Sequence, residues 1–226
     1  MEGMYNLVKD FFSHDMDLVD LFDSEAIIWI DWREYDEDVV NYFNDMMNEP
    51  IDIQTVSNGK PYGDDIVLKN GNKELQIPYG DEQDRDVTIK YFNDFVKPDY
   101  EVRWFTESLG NDTLGFTVLS GAEWAKVNDE FGAGVVRYYF EPIDFESDMF
   151  NLGMDEVFAL LALREDSEGV NTEFSTQLDW IRIINKEKNL AEQKEKGQID
   201  LKQYMVATKE LQQSKDDFIA AHGPMK

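Results

Sequence analysis

Apolar residues along the first part of the chain alternate between a helical and a strand period. Residues 5–22 carry apolar side chains at helical spacing and predict a helix, with a break or a second short helix near Ser13. The β-branched and aromatic run AIIWIDW at 26–32 predicts a strand, on which Trp29 and Trp32 lie on opposite faces. One indole is therefore expected in the core, and the other is expected to be exposed or covered by a helix.

The segments that follow predict two helices with a hairpin between them. Apolar residues in 39–47 mark a helix that ends before Pro50, because proline lacks the amide hydrogen that a helix interior needs. Residues 65–78 form two strand-like runs about an Asn-Gly pair, which tolerates the positive φ of a hairpin turn. Residues 85–98 carry a further helical stripe that ends in a proline.

Two strands and a capped helix are predicted next. The strands at 100–108 and 112–120 are separated by a Gly-Asn turn and are expected to pair. Ser120 and Glu123 match the S-x-x-E capping box, in which each side chain bonds to the other residue's backbone amide. They predict the start of a helix that Gly132 would close in a left-handed turn.

Two apolar runs complete this part of the chain. GVVRYYFEPI at 134–143 predicts the last strand, and MDEVFALLAL at 154–163 predicts a buried helix, because it is too apolar for the surface. Helices and hairpins interleave without a regular βαβ repeat. The predicted fold class is therefore α+β, a mainly antiparallel sheet with packed helices, followed by a C-terminal helical hairpin.

The C-terminal hairpin is predicted from two amphipathic stretches. Apolar residues recur at helical spacing from Phe174, Gly197 breaks the pattern, and Asp200 is well suited to cap a second helix. The apolar positions through which copies of the chain would associate are Leu178, Ile181, Leu201, Tyr204, Met205 and Leu211.

Residues 190–212, LAEQKEKGQIDLKQYMVATKELQ, follow the order helix, Lys-Gly, Ile, capping residue, amphipathic helix. In this order they resemble the short C-terminal module called SHOCT. Asp200 stands where that module usually has a Thr-like cap, and Met205 and Thr208 depart from its apolar pattern. The resemblance covers about a tenth of the chain and implies a small oligomerising or partner-docking appendage.

Composition restricts the class of protein. The chain has 226 residues, of which 42% are hydrophobic, and this is enough for a substantial core. No run approaches the roughly 18 apolar residues of a membrane span, and the N-terminus is acidic where a secretory signal would be basic. The absence of cysteine excludes disulfides and thiol chemistry. We therefore expect a cytoplasmic protein that does not bind membranes.

The formal net charge of −27 is unevenly distributed. Residues 1–168 hold 39 Asp and Glu against 12 Lys and Arg, whereas residues 169–226 hold nine of each. Such a shift predicts a boundary between an acidic α+β domain, 1–168, and a charge-neutral helical hairpin, 169–226. A charge this negative argues against direct binding to nucleic acid and favours a basic protein as partner.

The segment DWREYDEDVVNYFNDMMNEP at 31–50 concentrates this charge, and residues 1–50 alone carry 14 acids against two basic residues. Helix electrostatics account for acids in a first turn, but not for the overall charge. We therefore predict a partner-binding face. Its candidate residues are Asp15, Asp17, Asp20, Asp31, Glu34, Asp36, Glu37 and Asp38.

Other site chemistries find no matching pattern. The acidic stretches at 15–25 and 144–155 lack the Gly at position 6 and Glu at position 12 of an EF-hand loop. His14 has no G-x-S-x-G elbow nearby, and the glycines at 58–65 and 132–136 do not form a P-loop. We accordingly assign no catalytic residue, no metal ligand and no cofactor.

Three functions remain open from the sequence. The first is a non-enzymatic acidic binding or inhibitor protein that occludes a basic surface, either as an immunity protein to a nuclease-type toxin or as a phage-type antagonist that mimics nucleic acid. The second is a metal-dependent hydrolase that uses clustered carboxylates such as Asp31 and Glu34. The third is an assembly or scaffold protein that forms homo-oligomers through the C-terminal hairpin.

Overall fold

The computed structural model describes residues 2–60, 64–166 and 172–225. The chain divides into two compact units, Met1–Asn151 and Leu152–Lys226. The fold is α+β, and it ends in a helical hairpin as predicted. The boundary predicted from charge, between 168 and 169, lies outside the described residues.

The larger sheet of the first unit has the strand order β1-β6-β5-β7, and all its pairings are antiparallel. The hairpin of β5 and β6 is the one predicted from sequence, with Gly110 at a positive φ of 84° in the turn. Residues 114–119 of β6 are all buried, Phe116 and Val118 among them, so both faces of this strand are covered. The four strands are β1 (Ile28–Asp31), β5 (Tyr100–Phe105), β6 (Thr113–Ser120) and β7 (Phe140–Pro142).

The second sheet is smaller and has the order β2-β3-β4, also antiparallel. Its strands are β2 (Asp52–Val56), β3 (Asp65–Asn70) and β4 (Lys73–Gln76). The β3–β4 hairpin was predicted, and Gly71 supplies its positive φ of 58°. Strand β2 was not predicted, because its exposed Asp52, Gln54 and Thr55 leave little apolar signal in this stretch.

Helices pack around these sheets, and all but one of those that follow, the helix at 133–139, lie at predicted places. Their bounds are α1 (Glu2–Phe12), α2 (Leu18–Phe22), α3 (Asp36–Asp45), α4 (Arg85–Val96), α5 (Gly121–Phe131) and α6 (Ala133–Tyr139). The capping box that starts α5 is present: the Ser120 hydroxyl accepts from the Glu123 amide, and the Glu123 carboxylate accepts from the Ser120 amide. Local capping chemistry therefore determines where this helix begins.

The predicted strand at 134–143 is wrong over most of its length. Gly132 takes a φ of 91°, and the amide of Val136 donates to its carbonyl at 3.1 Å, which begins α6. The helix buries Val136 and places the ring of Tyr139 4.9 Å from that of Phe11. Tertiary packing overrides the strand propensity of these valines and tyrosines, and leaves β7 as a three-residue strand.

The N-terminal end of α4 joins distant segments of the first unit. Asp84 caps the helix by accepting from the Val87 amide. Asp86 is buried and accepts hydrogen bonds from three successive backbone amides, those of residues 149–151, at 2.9 to 3.2 Å. This end of α4 also carries Arg85, which holds the acidic segment described below.

The second unit contains α7 (Met154–Asp166), α8 (Phe174–Glu195) and α9 (Leu201–His222). Helices α8 and α9 form the predicted hairpin: Gly197 has a φ of 67°, and Asp200 caps α9 in a capping box with Gln203. The prediction that α7 is buried is wrong. Leu160 is buried, but Met154 and Phe158 are 65% and 60% exposed. The high apolar content of this helix therefore does not mean that the helix is buried.

Candidate functional site

The acidic segment at 31–38 is folded around a single guanidinium group. Arg85 Nε donates to Oδ1 of Asp36 at 2.7 Å, and its two terminal nitrogens donate to the backbone carbonyls of Asp31 and Glu34. The hydroxyl of Thr88 donates to the other oxygen of Asp36 at 2.6 Å. Asp36 is 4% exposed, and both of its oxygens accept hydrogen bonds. Contrary to the prediction, its carboxylate is therefore not available to a partner.

Asp31 is also paired. It ends β1 as expected, and the Arg33 side chain donates two hydrogen bonds to its carboxylate, at 3.1 and 2.9 Å. These bonds, together with one from the Arg33 amide, lower the pKa of Asp31 from 3.8 to about 2. Of the three acids that come together here, Glu34 is the one without an arginine partner within 4.0 Å among the described residues.

The other predicted acids lie in two places. Asp15, Asp17 and Asp20 are exposed around α2, where Asp17 is the N-cap and accepts from the Asp20 amide at 2.9 Å. Glu37 and Asp38 are half-buried in the first turn of α3, as the sequence predicted. A binding role for these five carboxylates stays a prediction.

The two tryptophans of the predicted strand separate as expected. Trp29 is half-buried, lies 4.3 Å from the ring of Phe22, and donates its indole hydrogen to the Phe22 carbonyl. Trp32 follows the strand and is 67% exposed, with the Arg33 guanidinium 5.5 Å from its ring centroid. An exposed indole of this kind is typical of a binding surface.

An apolar groove of about 750 Å³ opens between α1, β1 and α3. Its floor includes the buried side chains of Met4, Ile27 and Ile28, and half-buried Leu7 and Met46 extend its walls. We call this cavity the apolar groove. Its full lining is Gly3, Met4, Leu7, Glu25, Ile27, Ile28, Trp29, Glu34, Tyr42, Asp45 and Met46.

Three carboxylates border the apolar groove: Glu25, Glu34 and Asp45. Within the described ranges, none has a Lys or Arg nitrogen within 4.0 Å. Burial raises the pKa of Glu34 above its ordinary value, with nearby carboxylates contributing. The negative charge of Glu34 in turn raises the pKa of the Tyr42 phenol. The groove therefore combines an apolar interior with a negative rim.

A second cavity, of about 400 Å³, lies beside the first and shares Glu34 with it. We call it the aromatic pocket. Two exposed aromatic side chains, Trp32 and Tyr35, line it at 67% and 69% exposure. Its remaining lining residues are Glu34, Asp36, Glu82, Gln83 and Arg85.

Sequence reasoning missed Glu25, Tyr42, Asp45 and Glu82 as site residues. Tyr42 gave a local signal, because it is a large aromatic residue that does not belong to the buried face of α3 formed by Val39, Val40 and Phe43. The acids gave none, since 48 acids in one chain make any individual carboxylate uninformative. The groove arises from the packing of three elements and is not encoded by a motif.

The residues predicted to associate between copies divide into two groups. Leu178, Ile181 and Leu211 are buried inside the second unit, so they hold the hairpin together and do not form a free surface. Leu201 and Met205 are 60% and 64% exposed on α9, and Tyr204 is half-buried beside them. Val206, which was not predicted, adds a further exposed apolar side chain.

Two further features of the described residues bear on other functions. In residues 2–60, 64–166 and 172–225, no three His, Cys, Asp or Glu side chains are grouped so that they could hold a metal ion. No helix in the same ranges has both the length and the apolar character that crossing a membrane requires.

The comparisons with known proteins give no relative. No protein-family model, curated protein or solved structure matches this chain.

Proposed function

We propose that this chain is a non-enzymatic acidic binding protein that occludes a basic surface of another protein. The observation that supports this best is the apolar groove with Glu25, Glu34 and Asp45 on its rim, none of which forms an ion pair with a described Lys or Arg. The unit that contains the groove, 1–151, carries 34 Asp and Glu against 11 Lys and Arg. A partner with Lys or Arg beside an apolar side chain would satisfy both parts of this surface.

The charge favours association in a specific way. A strongly negative surface accelerates encounter with a cationic protein, and this steering weakens as salt screens it over a Debye length of about 8 Å at physiological ionic strength. Apolar contacts inside the groove would then slow dissociation.

Two concrete forms of the function follow: an immunity protein to a nuclease-type toxin, or an antagonist that mimics the charge of nucleic acid. A cytoplasmic site of action is part of this proposal.

A hydrolase that uses Asp31 and its neighbours receives less support. Hydrolytic metal sites need several carboxylate oxygens free to coordinate one ion. Here Asp31 is engaged by Arg33 and Asp36 by Arg85, so the arginines occupy the oxygens that a metal would need.

Retention of basic proteins on the immobilised full chain tests the proposal. We expect proteins of high isoelectric point to be retained at low salt, released at high salt, and largely lost from the variant Glu25→Gln/Glu34→Gln/Asp45→Asn. If no basic protein is retained at low salt, or if the variant retains the same proteins as wild type, the proposal fails.

The matched control removes the same number of charges at exposed positions outside both cavities. It is the variant Asp94→Asn/Asp99→Asn/Asp129→Asn. It should retain the partner nearly as well as wild type, because it changes the overall charge by the same amount and leaves the groove unaltered.

A second candidate function, assembly of copies of this chain, is favoured by one observation. Leu201, Met205 and Val206 form an exposed apolar face on α9, within the stretch that resembles a SHOCT module. We propose that this face is where an oligomerising role would reside. It is compatible with partner binding, since it lies in the other unit.

A further inference from the structure

The apolar groove and the aromatic pocket share one side chain, that of Glu34. A carboxylate therefore separates a cavity suited to an apolar group from a cavity lined by two exposed aromatic rings. Arg85 holds this position fixed, because it donates to the Glu34 backbone carbonyl and to the Asp36 carboxylate. The Glu34 carboxylate itself accepts from the Asp31 amide at 3.3 Å.

The groove selects for an apolar side chain. Met4, Ile27 and Ile28 already bury most of their own surface at its floor, with exposures of 6%, 5% and 8%. An alkyl or aromatic side chain placed there would lose contact with water on several sides, which is the main favourable contribution to such binding.

The aromatic pocket selects for a cation. Trp32 and Tyr35 expose most of their ring surface, and the face of an aromatic ring attracts a positive charge within about 6 Å. Arg33 demonstrates this at Trp32, where its guanidinium lies 5.5 Å from the centroid. In the same lining Arg85 is paired with Asp36, so Glu34 and Glu82 leave the pocket with a net negative charge that a further cation would compensate.

We propose that the element this protein recognises is a basic amphipathic segment of its partner. The segment places an apolar side chain in the apolar groove and a neighbouring Lys or Arg in the aromatic pocket, with Glu34 contacting both. This proposal rests on the proposed function, but it goes further. A purely electrostatic inhibitor would bind any cationic surface, whereas this site requires an apolar anchor next to the charge.

Two synthetic peptides of equal length and equal positive charge test this. One carries Lys and Leu at helical spacing, and the other carries Lys and Ser. Titration of the full chain with each at low salt should show that the Lys/Leu peptide binds at least about tenfold more tightly, the difference expected from burying one or two alkyl groups.

Three single variants locate the binding. Met46→Gln makes the groove wall polar without changing charge, and Trp32→Ser removes an exposed ring. We expect Met46→Gln to remove most of the Lys/Leu preference and Trp32→Ser to weaken binding of both peptides about threefold, as for an exposed cation–π contact. Phe145→Ser is the control, since Phe145 is 49% exposed and lines neither cavity.

The outcomes separate this proposal from the function on which it rests. If both peptides bind equally and are released by salt, electrostatic binding holds and the amphipathic recognition is wrong. If neither peptide binds at low salt, the proposed function fails as well. A Lys/Leu preference that Met46→Gln and Trp32→Ser leave unchanged would overturn the assignment to these two cavities.

Discussion

Arg85 and Asp36, forty-nine positions apart in the sequence, form a buried ion pair with Nε 2.7 Å from Oδ1. Their side chains are 11% and 5% exposed. Since Arg85 also bonds to the carbonyls of Asp31 and Glu34, one cation organises the whole acidic segment at 31–36. What the sequence shows as a surface cluster of acids is, at its centre, a structural element that positions Glu34.

Removing this carboxylate should destabilise the fold. We expect Asp36→Asn to lower the free energy of unfolding by about 3 kcal/mol, because breaking a buried pair leaves the Arg85 charge uncompensated. Urea denaturation at neutral pH measures this change. The control Asp45→Asn, exposed at the end of the same helix, should change the free energy by less than about 0.5 kcal/mol. Equal effects of the two substitutions would contradict a structural role for the pair.

Substitution of Asp86 should also destabilise the fold, for a different reason. Its carboxylate accepts from three backbone amides at residues 149–151, and an asparagine would present an NH₂ group to at least one of those donors. We expect Asp86→Asn to cost about 2 to 3 kcal/mol, against less than about 0.5 kcal/mol for exposed Asp94→Asn on the same helix. Denaturation of both variants decides this, and a tolerated Asp86→Asn would show that the amides find other acceptors.

Glu34 should show the opposite sign. Burial raises its pKa as it raises that of Asp86, but Glu34 accepts one backbone hydrogen bond, whereas Asp86 accepts three. The folded chain then holds this proton more tightly than the unfolded chain, so stability falls as pH rises from the ordinary pKa through the folded one. Above the folded pKa, the ionised Glu34 carboxylate lowers the stability of the fold. Below the ordinary pKa of 4.5, the carboxyl is protonated in both the folded and the unfolded chain, and this effect on stability vanishes. We expect Glu34→Gln to be more stable than wild type at neutral pH and equal to it in acid.

Urea denaturation of both proteins at the two pH values checks this prediction. The partner-retention experiment on the same variant adds the functional side. A residue that lowers stability while it increases partner retention is typical of a binding site. A Glu34→Gln variant that is less stable at neutral pH would contradict the assigned electrostatics.

The exposed face of α9 predicts self-association. We expect the molar mass of the full chain by light scattering to rise with concentration, and Leu201→Lys/Met205→Lys to remain monomeric, because two charges in an apolar contact are costly to bury. Glu210→Lys is the control: it also adds positive charge, at an exposed position on another side of α9. A wild-type chain that stays monomeric at high concentration would exclude the assembly role.

Local signals predicted much of the fold. The Ser120–Glu123 capping box, the cap at Asp200 and the Asn70-Gly71 hairpin are each specified by a few neighbouring residues, and the structure contains all three. The errors occurred where packing decides. The valines and tyrosines of α6 favour a strand by propensity, but the segment is helical where Val136 packs into the core and Tyr139 packs against Phe11.

The candidate site was predictable only in part. The concentration of acids indicated the region, and Glu34 lies at its centre. The structure shows, however, that Asp31 and Asp36 are neutralised by Arg33 and Arg85, and that Glu25 and Asp45 complete the rim. Arg33 lies two positions from Asp31, but Arg85 lies forty-nine positions from Asp36, and no local pattern records that second contact.

Amide hydrogen exchange on the full chain, with and without the basic partner retained at low salt, tests most directly whether the groove face is the binding site. We predict slower exchange on binding in the segments 25–35 and 42–46, which carry the rim and walls of the two cavities, and unchanged exchange in α5. Protection that is absent from both segments and appears elsewhere in the chain would contradict the assignment of partner binding to this face.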